Sequence, residues 1–145
     1  MATPDYLSSA EAQESLKSVL NVYSDNNGAF DEDRLIADIN ASEAEVNAAA
    51  RSRYDIPATT AGTVLFLKGL TLALLRNRAY SRLASVETPM VIMSEAKAAR
   101  TQLRDISAGR LLLPDAPQDT ADGINQYIDT TYNTPQMKRS KLAGF

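Results

Sequence analysis

A chain of 145 residues, 44% apolar and 23% charged, fits one soluble domain built around a single core. It contains no histidine and no cysteine, which excludes thiol nucleophiles, disulfides, thiolate metal sites and the commonest general base. The net charge of −3 is mild but uneven: residues 1–53 carry ten acids against four bases, residues 54–113 four against eight, and residues 114–145 four against three.

The N-terminal MATPDYLSSAEAQ has neither a basic leader nor an apolar run, so no secretory signal is expected. Ser8 or Ser9 caps a first helix that runs to about Leu20, with Leu16, Val19 and Leu20 facing inward. SDNNGAF (24–30) is turn chemistry, because Asn and Gly tolerate the left-handed conformation. The second helix takes Asp31 as its cap and Glu32 and Asp33 as first-turn charges. Its inward face is Leu35, Ile39, Val46, Ala50 and Tyr54, and it ends near Arg53 in RSRYDIP, where Pro57 holds Ile56 outside helical space.

A third helix follows PATTAG and continues to about Leu83. It is apolar on nearly every side from Val64 to Leu75 and belongs in the middle of a bundle. Its apolar run, residues 63–75, holds Lys68 and is shorter than the roughly 20 residues a bilayer span needs, so no membrane segment is expected. Gly69, unfavourable inside a helix by about 1 kcal/mol, points to the close approach of a neighbour. The fourth helix has Thr88 as cap and Pro89 at its first position, buries Ile92, Ala96, Ala99, Leu103 and Ile106, and stops at Gly109. RLLLP (110–114) reads as a short extended segment, a candidate strand. The expected fold is all-α: a four-helix bundle over residues 1–114, followed by a long extended C-terminal tail over 115–145.

Chemistry is hard to find. Acid pairs such as Asp31 with Asp33 or Glu43 with Glu45 are two apart on a helix and point to different faces. No phosphate loop, nucleophile elbow or metal-ligand spacing occurs, so neither an enzyme nor a cofactor is expected. The bases Lys68, Arg76, Arg78 and Arg82 are candidates for phosphate contact, but pairing with acids on a neighbouring subunit is favoured in an acidic chain. Arg51, Arg53 and Tyr54 read as a helix end with a buried ring and apolar stems rather than a ligand pocket. In the tail, Ile124, Tyr127, Ile128, Tyr132, Met137 and Phe145 are scattered among polar residues, and Lys138, Arg139 and Lys141 add charge. That segment suits lying along a partner, though a solvated terminus is the plain alternative.

The order of parts in FDEDRLIADINASEAEVNAAARSRYDIP, then TVLFLKGLTLALLRNRAYSR, then LRDISAGRLLLP resembles the small helical head–tail adaptor, or connector, proteins of tailed bacteriophages. Tyr54, Pro57, Arg78, Tyr80, Leu103, Ile106 and Gly109 fit the pattern, which covers roughly residues 5–114. The resemblance implies a virion protein, assembled in the host bacterial cytoplasm as a ring, commonly of twelve copies, beneath the portal protein. Such a ring extends the channel through which genomic DNA passes without sequence-specific binding, and it offers a platform to a downstream neck, stopper or tail-completion protein. On that basis Arg51, Arg53, Tyr54, Arg76, Arg78 and Arg82 are candidate subunit contacts. The tail from Ile124 to Phe145 is a candidate portal or partner grip, and Asp31, Glu32, Asp33 and Asp38 are candidate channel-lining acids. Rival readings are a small helical DNA-binding regulator and a monomeric partner-binding module.

Overall fold

The computed structural model describes residues 5–25, 27–83 and 87–115, and within them the fold is all-α. The elements are α1 (Ser9–Ser15), a 3-10 helix (Lys17–Tyr23), α2 (Glu32–Ala50), α3 (Ala61–Ser81) and α4 (Met90–Ser107). An isolated antiparallel bridge joins Ser24 and Phe30.

Ser8 caps α1 through a complete capping box: its hydroxyl accepts the Glu11 N–H, and the Glu11 carboxylate accepts the Ser8 N–H. The expected single first helix is two short pieces. At Leu16 the N–H is shared between the carbonyls of Ala12 and Gln13, at 3.0 and 3.2 Å, and the chain tightens into the 3-10 helix. Leu16 and Val19, three residues apart, then point the same way and are buried, and Tyr23 is carried onto α2.

α2 starts as its sequence implies, with the Asp31 carboxylate accepting the Arg34 N–H at 3.0 Å. It ends at Ala50 rather than Arg53, because the N–H groups of both Arg53 and Tyr54 turn back to the Ala50 carbonyl at 3.0 Å. That tighter last turn swings Tyr54 into the core.

α3 touches α1, the 3-10 helix, α2 and α4, the central place its all-round apolar sequence implies. One core cluster gathers Val46, Ala50, Tyr54, Leu67, Leu74, Leu103 and Ile106. A second gathers Leu7, Leu16, Tyr23, Leu35, Ile39, Leu75 and Ala79. Gly69 departs from expectation: a Cβ added there would meet nothing within 4 Å, so no element of the described residues approaches it.

α4 begins at Met90, with Pro89 as the N-cap instead of the first helical residue, since ψ of 137° keeps Pro89 extended. Gly109, at φ +72°, ends it in a Schellman motif in which Arg110 N–H reaches the Asp105 carbonyl at 2.8 Å and Gly109 N–H reaches Ile106 at 2.9 Å. Residues 110–114 form no strand. Leu113 is buried, and its N–H donates to the Tyr54 hydroxyl at 3.2 Å. The tail positions Ile124, Tyr127, Ile128, Tyr132, Met137, Lys138, Arg139, Lys141 and Phe145 lie outside the described residues.

Candidate functional site

Charge across the helix bundle is where sequence and structure part most clearly. Of the arginines expected to meet acids of another copy, Arg76, Arg78 and Arg82 meet acids of their own chain. Asp38, 5% exposed, receives Nε–H and Nη2–H of Arg82 at 2.8 and 2.6 Å and the Tyr23 hydroxyl at 3.0 Å. This fork against a buried carboxylate raises the Arg82 pKa, the hydrogen bond to Asp38 being the main cause. Burial first, and the Asp38 charge second, push the Tyr23 phenol well above its ordinary range. Asp38 is therefore not a surface acid, and the group of candidate channel acids loses it.

Glu45, also on α2, accepts Nη2–H of Arg78 from α3 at 3.0 Å and Nε–H of Arg100 from α4 at 2.9 Å. One carboxylate thus ties three helices together. Arg76 of α3 pairs with Glu95 of α4 at 3.6 Å, and Lys68 bonds Glu11 of α1. The Lys68 bond, with help from Ser8, lowers the Glu11 carboxyl to about 2. Asp31, Glu32 and Asp33 stay on the first turn of α2, where Glu32 and Asp33 are exposed and Asp31 is half-buried by its capping role.

RSRYDIP is settled by geometry as well. The Arg53 guanidinium lies flat against Gly109: a Cβ on that glycine would sit 2.5 Å from its Cζ. Its Nε–H donates to the Ser107 carbonyl at 3.3 Å, so Arg53 serves the C-terminal end of α4, where a cation is favoured. Tyr54 is a core residue, 4% exposed. Arg51 is exposed and has no ion pair among the described residues.

Sequence reasoning missed Glu43. It is 3% exposed, and its carboxylate accepts the N–H groups of Asp5, Tyr6 and Leu7 at 2.6, 2.8 and 3.0 Å. Tyr6 then donates its hydroxyl hydrogen to Asn47 at 2.8 Å. The N-terminal segment is clipped to α2 in this way, beside an open groove of about 300 Å³ bordered by Asp5, Asn40, Glu43, Asn47 and Arg51. With its lone pairs on three amides, Glu43 has a structural role. Nothing local in the sequence marks it, since its partners are 36 to 38 residues away.

No group of three or more metal-ligating acids occurs among the described residues. No helix of the described residues is long and apolar enough to cross a membrane. Among the described residues the most exposed large apolar side chains are Leu65, 72% exposed on α3, and Met90 and Val91, 81% and 65% exposed at the start of α4. The all-round apolar character of α3 signals the first; a short run MVIM at a helix start gives little hint of the second.

No curated protein and no solved structure matches the chain. A family model does, over residues 2–128, and so past the Pro114 boundary of the adaptor-like pattern. With that share of its length matched, the chain belongs to the bacteriophage protein family described as bacteriophage Mu, Gp36.

Proposed function

We propose that the protein is a structural head–tail adaptor: a ring-forming subunit that sits beneath the portal, extends the DNA channel and presents a platform to the next neck or tail component. The observation that carries this reading is the bacteriophage family match over residues 2–128, taken with the adaptor-like order of the helices it covers. The body of the subunit suits a passive building part. Among the described residues the buried acids are saturated, Asp38 by Arg82 and Tyr23 and Glu43 by three backbone amides, which suits a passive part better than an acid–base catalyst. In this reading the protein performs no catalysis and needs no cofactor.

Assembly then depends on what the fold leaves outside. Glu32 and Asp33 at the start of α2 are the acids available to a channel wall that DNA slides past. Arg51, unpaired among the described residues, is the candidate for contact with a neighbouring copy, and the tail beyond Pro114 for contact with the portal or the component below. The twelve-copy ring is carried over from the adaptor resemblance.

The test is to mix the purified chain with purified portal protein and examine the mixture by size-exclusion chromatography with light scattering and by electron microscopy. Rings stacked on one end of the portal are the expected result. A chain that ignores the portal and is retained on DNA in a salt-dependent way would overturn the reading.

A further inference from the structure

Apolar patches lie exposed on opposite sides of the described bundle. On α3, Leu65, Gly69, Leu72 and Arg76 follow one another at three- and four-residue steps and share the face turned away from the buried Leu67, Leu70 and Leu74. Leu65 is 72% exposed, Leu72 is half-buried, and a Cβ on Gly69 would meet nothing within 4 Å, so the strip has a gap in its middle. On α4, Met90, Met93, Lys97, Arg100 and Arg104 recur at the same steps and form a ridge. Arg100 bonds Glu45 of α2, so the ridge lies on the flank of α4 toward α2. Met90 and Met93 on it are 81% and 47% exposed. Because α2, α3 and α4 each touch the other two, the outer face of α3 and the α2–α4 flank point to opposite sides.

The strip and the ridge suit each other in shape. Methionine side chains are unbranched and fill irregular gaps, and the missing side chain at Gly69 leaves one between Leu65 and Leu72. Charge agrees. Lys97 and Arg104 are exposed and have no ion pair among the described residues. Beside the strip stands α1, held there by the Lys68–Glu11 bond, with Glu14 three residues on from Glu11 and so on the same side. Glu14 is exposed and bonds Lys17 through Oε1, which leaves Oε2 for a cation of another molecule.

We propose, taking the ring-forming reading as given, that the α4 ridge of one copy packs on the α3 strip of the next. Met90 and Met93 cover Leu65 and the gap at Gly69, and Lys97 and Arg104 turn toward Glu14 of that neighbour. The occupant is a second copy because one chain carries both halves of the contact, unlike in shape and matched in charge. Such a contact is heterologous: every copy uses one surface on each side, and the row closes into a ring when the rotation per copy permits. A two-fold dimer through the ridge would instead set Lys97 and Arg104 of one copy against those of the other, at a cost in like-charge repulsion.

Absence of native cysteine permits a direct test in the full chain. Leu65→Cys and Met93→Cys, both at exposed positions, are made singly and together and treated with a short bis-maleimide. The reaction is run on the free chain at rising concentration and again with purified portal protein. Within one subunit the two sites cannot be bridged. Leu65 lies roughly 16 Å along α3 from Arg76, which pairs with Glu95 near Met93, and on the other side of the bundle. The double variant is expected to give a ladder of covalent dimers, trimers and larger species. Each single variant alone is expected to stay monomeric, and a mixture of the two to stop at dimers. Adding Gly69→Gln, a good helix former that fills the gap, is expected to slow the ladder about tenfold or more while far-ultraviolet circular dichroism is unchanged. Rings on the portal without a ladder would overturn this interface and leave the adaptor reading standing. A ladder from a free chain that ignores the portal would uphold the interface and sink the adaptor reading. No ladder under either condition, dimers from a single variant as fast as from the mixture, or a ladder unmoved by Gly69→Gln would also overturn the proposal.

Discussion

Asp38 shows how much depends on single side chains here. It is a carboxylate at 5% exposure, and Arg82 and Tyr23 make its burial tolerable. Arg82→Ala leaves it without its cation and is expected to cost about 2–3 kcal/mol, below the roughly 3–5 kcal/mol of a fully buried pair because Arg82 is itself partly solvated. Tyr23→Phe removes one hydrogen bond and is expected to cost about 1–2 kcal/mol, since the acceptor is charged. Urea denaturation checks both. The Tyr23 and Tyr6 phenols are held above their ordinary range of about 10, mainly by burial. A raised folded-state pKa contributes stability that is present below the unfolded value and lost above it, so melting temperature should fall as pH climbs past 10. Glu11 has the opposite sign. Its carboxyl is lowered from 4.5 to about 2, chiefly by the Lys68 hydrogen bond, so its contribution is present above 4.5 and fades as pH falls toward 2. In Lys68→Met, NMR titration should find the Glu11 carboxyl displaced upward toward 4.5.

At the scale of elements, helix ends carry the lesson. The Schellman turn at Gly109 needs a left-handed backbone, and the Arg53 guanidinium occupies the place of a Cβ. Gly109→Ala is therefore penalised twice, and we expect at least about 1 kcal/mol of lost stability. Part of it should be recovered in the Arg53→Ala background, where the contact is gone but the strained φ is not. A double-mutant cycle by thermal melting separates the two, and strictly additive losses would contradict the contact. Both ends of α2 and the stop of α4 were legible in the sequence within a few residues, because their signals are local: the Asp31 carboxylate caps an amide three residues on, Pro57 bars continuation, and Gly109 takes the left-handed backbone. The break at Leu16 was not, since no Gly or Pro marks it and the 3-10 winding answers to Tyr23 reaching α2. Gly69 was misread: the close neighbour expected there is absent among the described residues, because α3 turns this position to its exposed side.

At the scale of the whole molecule, the split between an acidic first half and a basic second half is partly consumed inside the subunit. Asp38 and Glu45 on α2 take up Arg78, Arg82 and Arg100, across 33 to 55 residues of sequence. Composition revealed that opposite charges would meet; it could not reveal that they would meet within one copy, because that depends on which faces of α2, α3 and α4 are apposed. The consequence concerns salt. Raised ionic strength should weaken these half-exposed pairs and lower the melting temperature by a few degrees, each kcal/mol lost being worth roughly 2–8 °C. It should do less to ring formation if apolar surface such as Met90 and Val91 dominates contacts between subunits.

The adaptor reading is tested most directly by cryo-electron microscopy of intact phage particles assembled with this chain. The expected map has the α2–α3–α4 body repeated as a ring immediately beneath the portal, with Glu32 and Asp33 toward the channel. A neck with no density for this helical body, or a ring with a basic lumen and α2 turned outward, would contradict it.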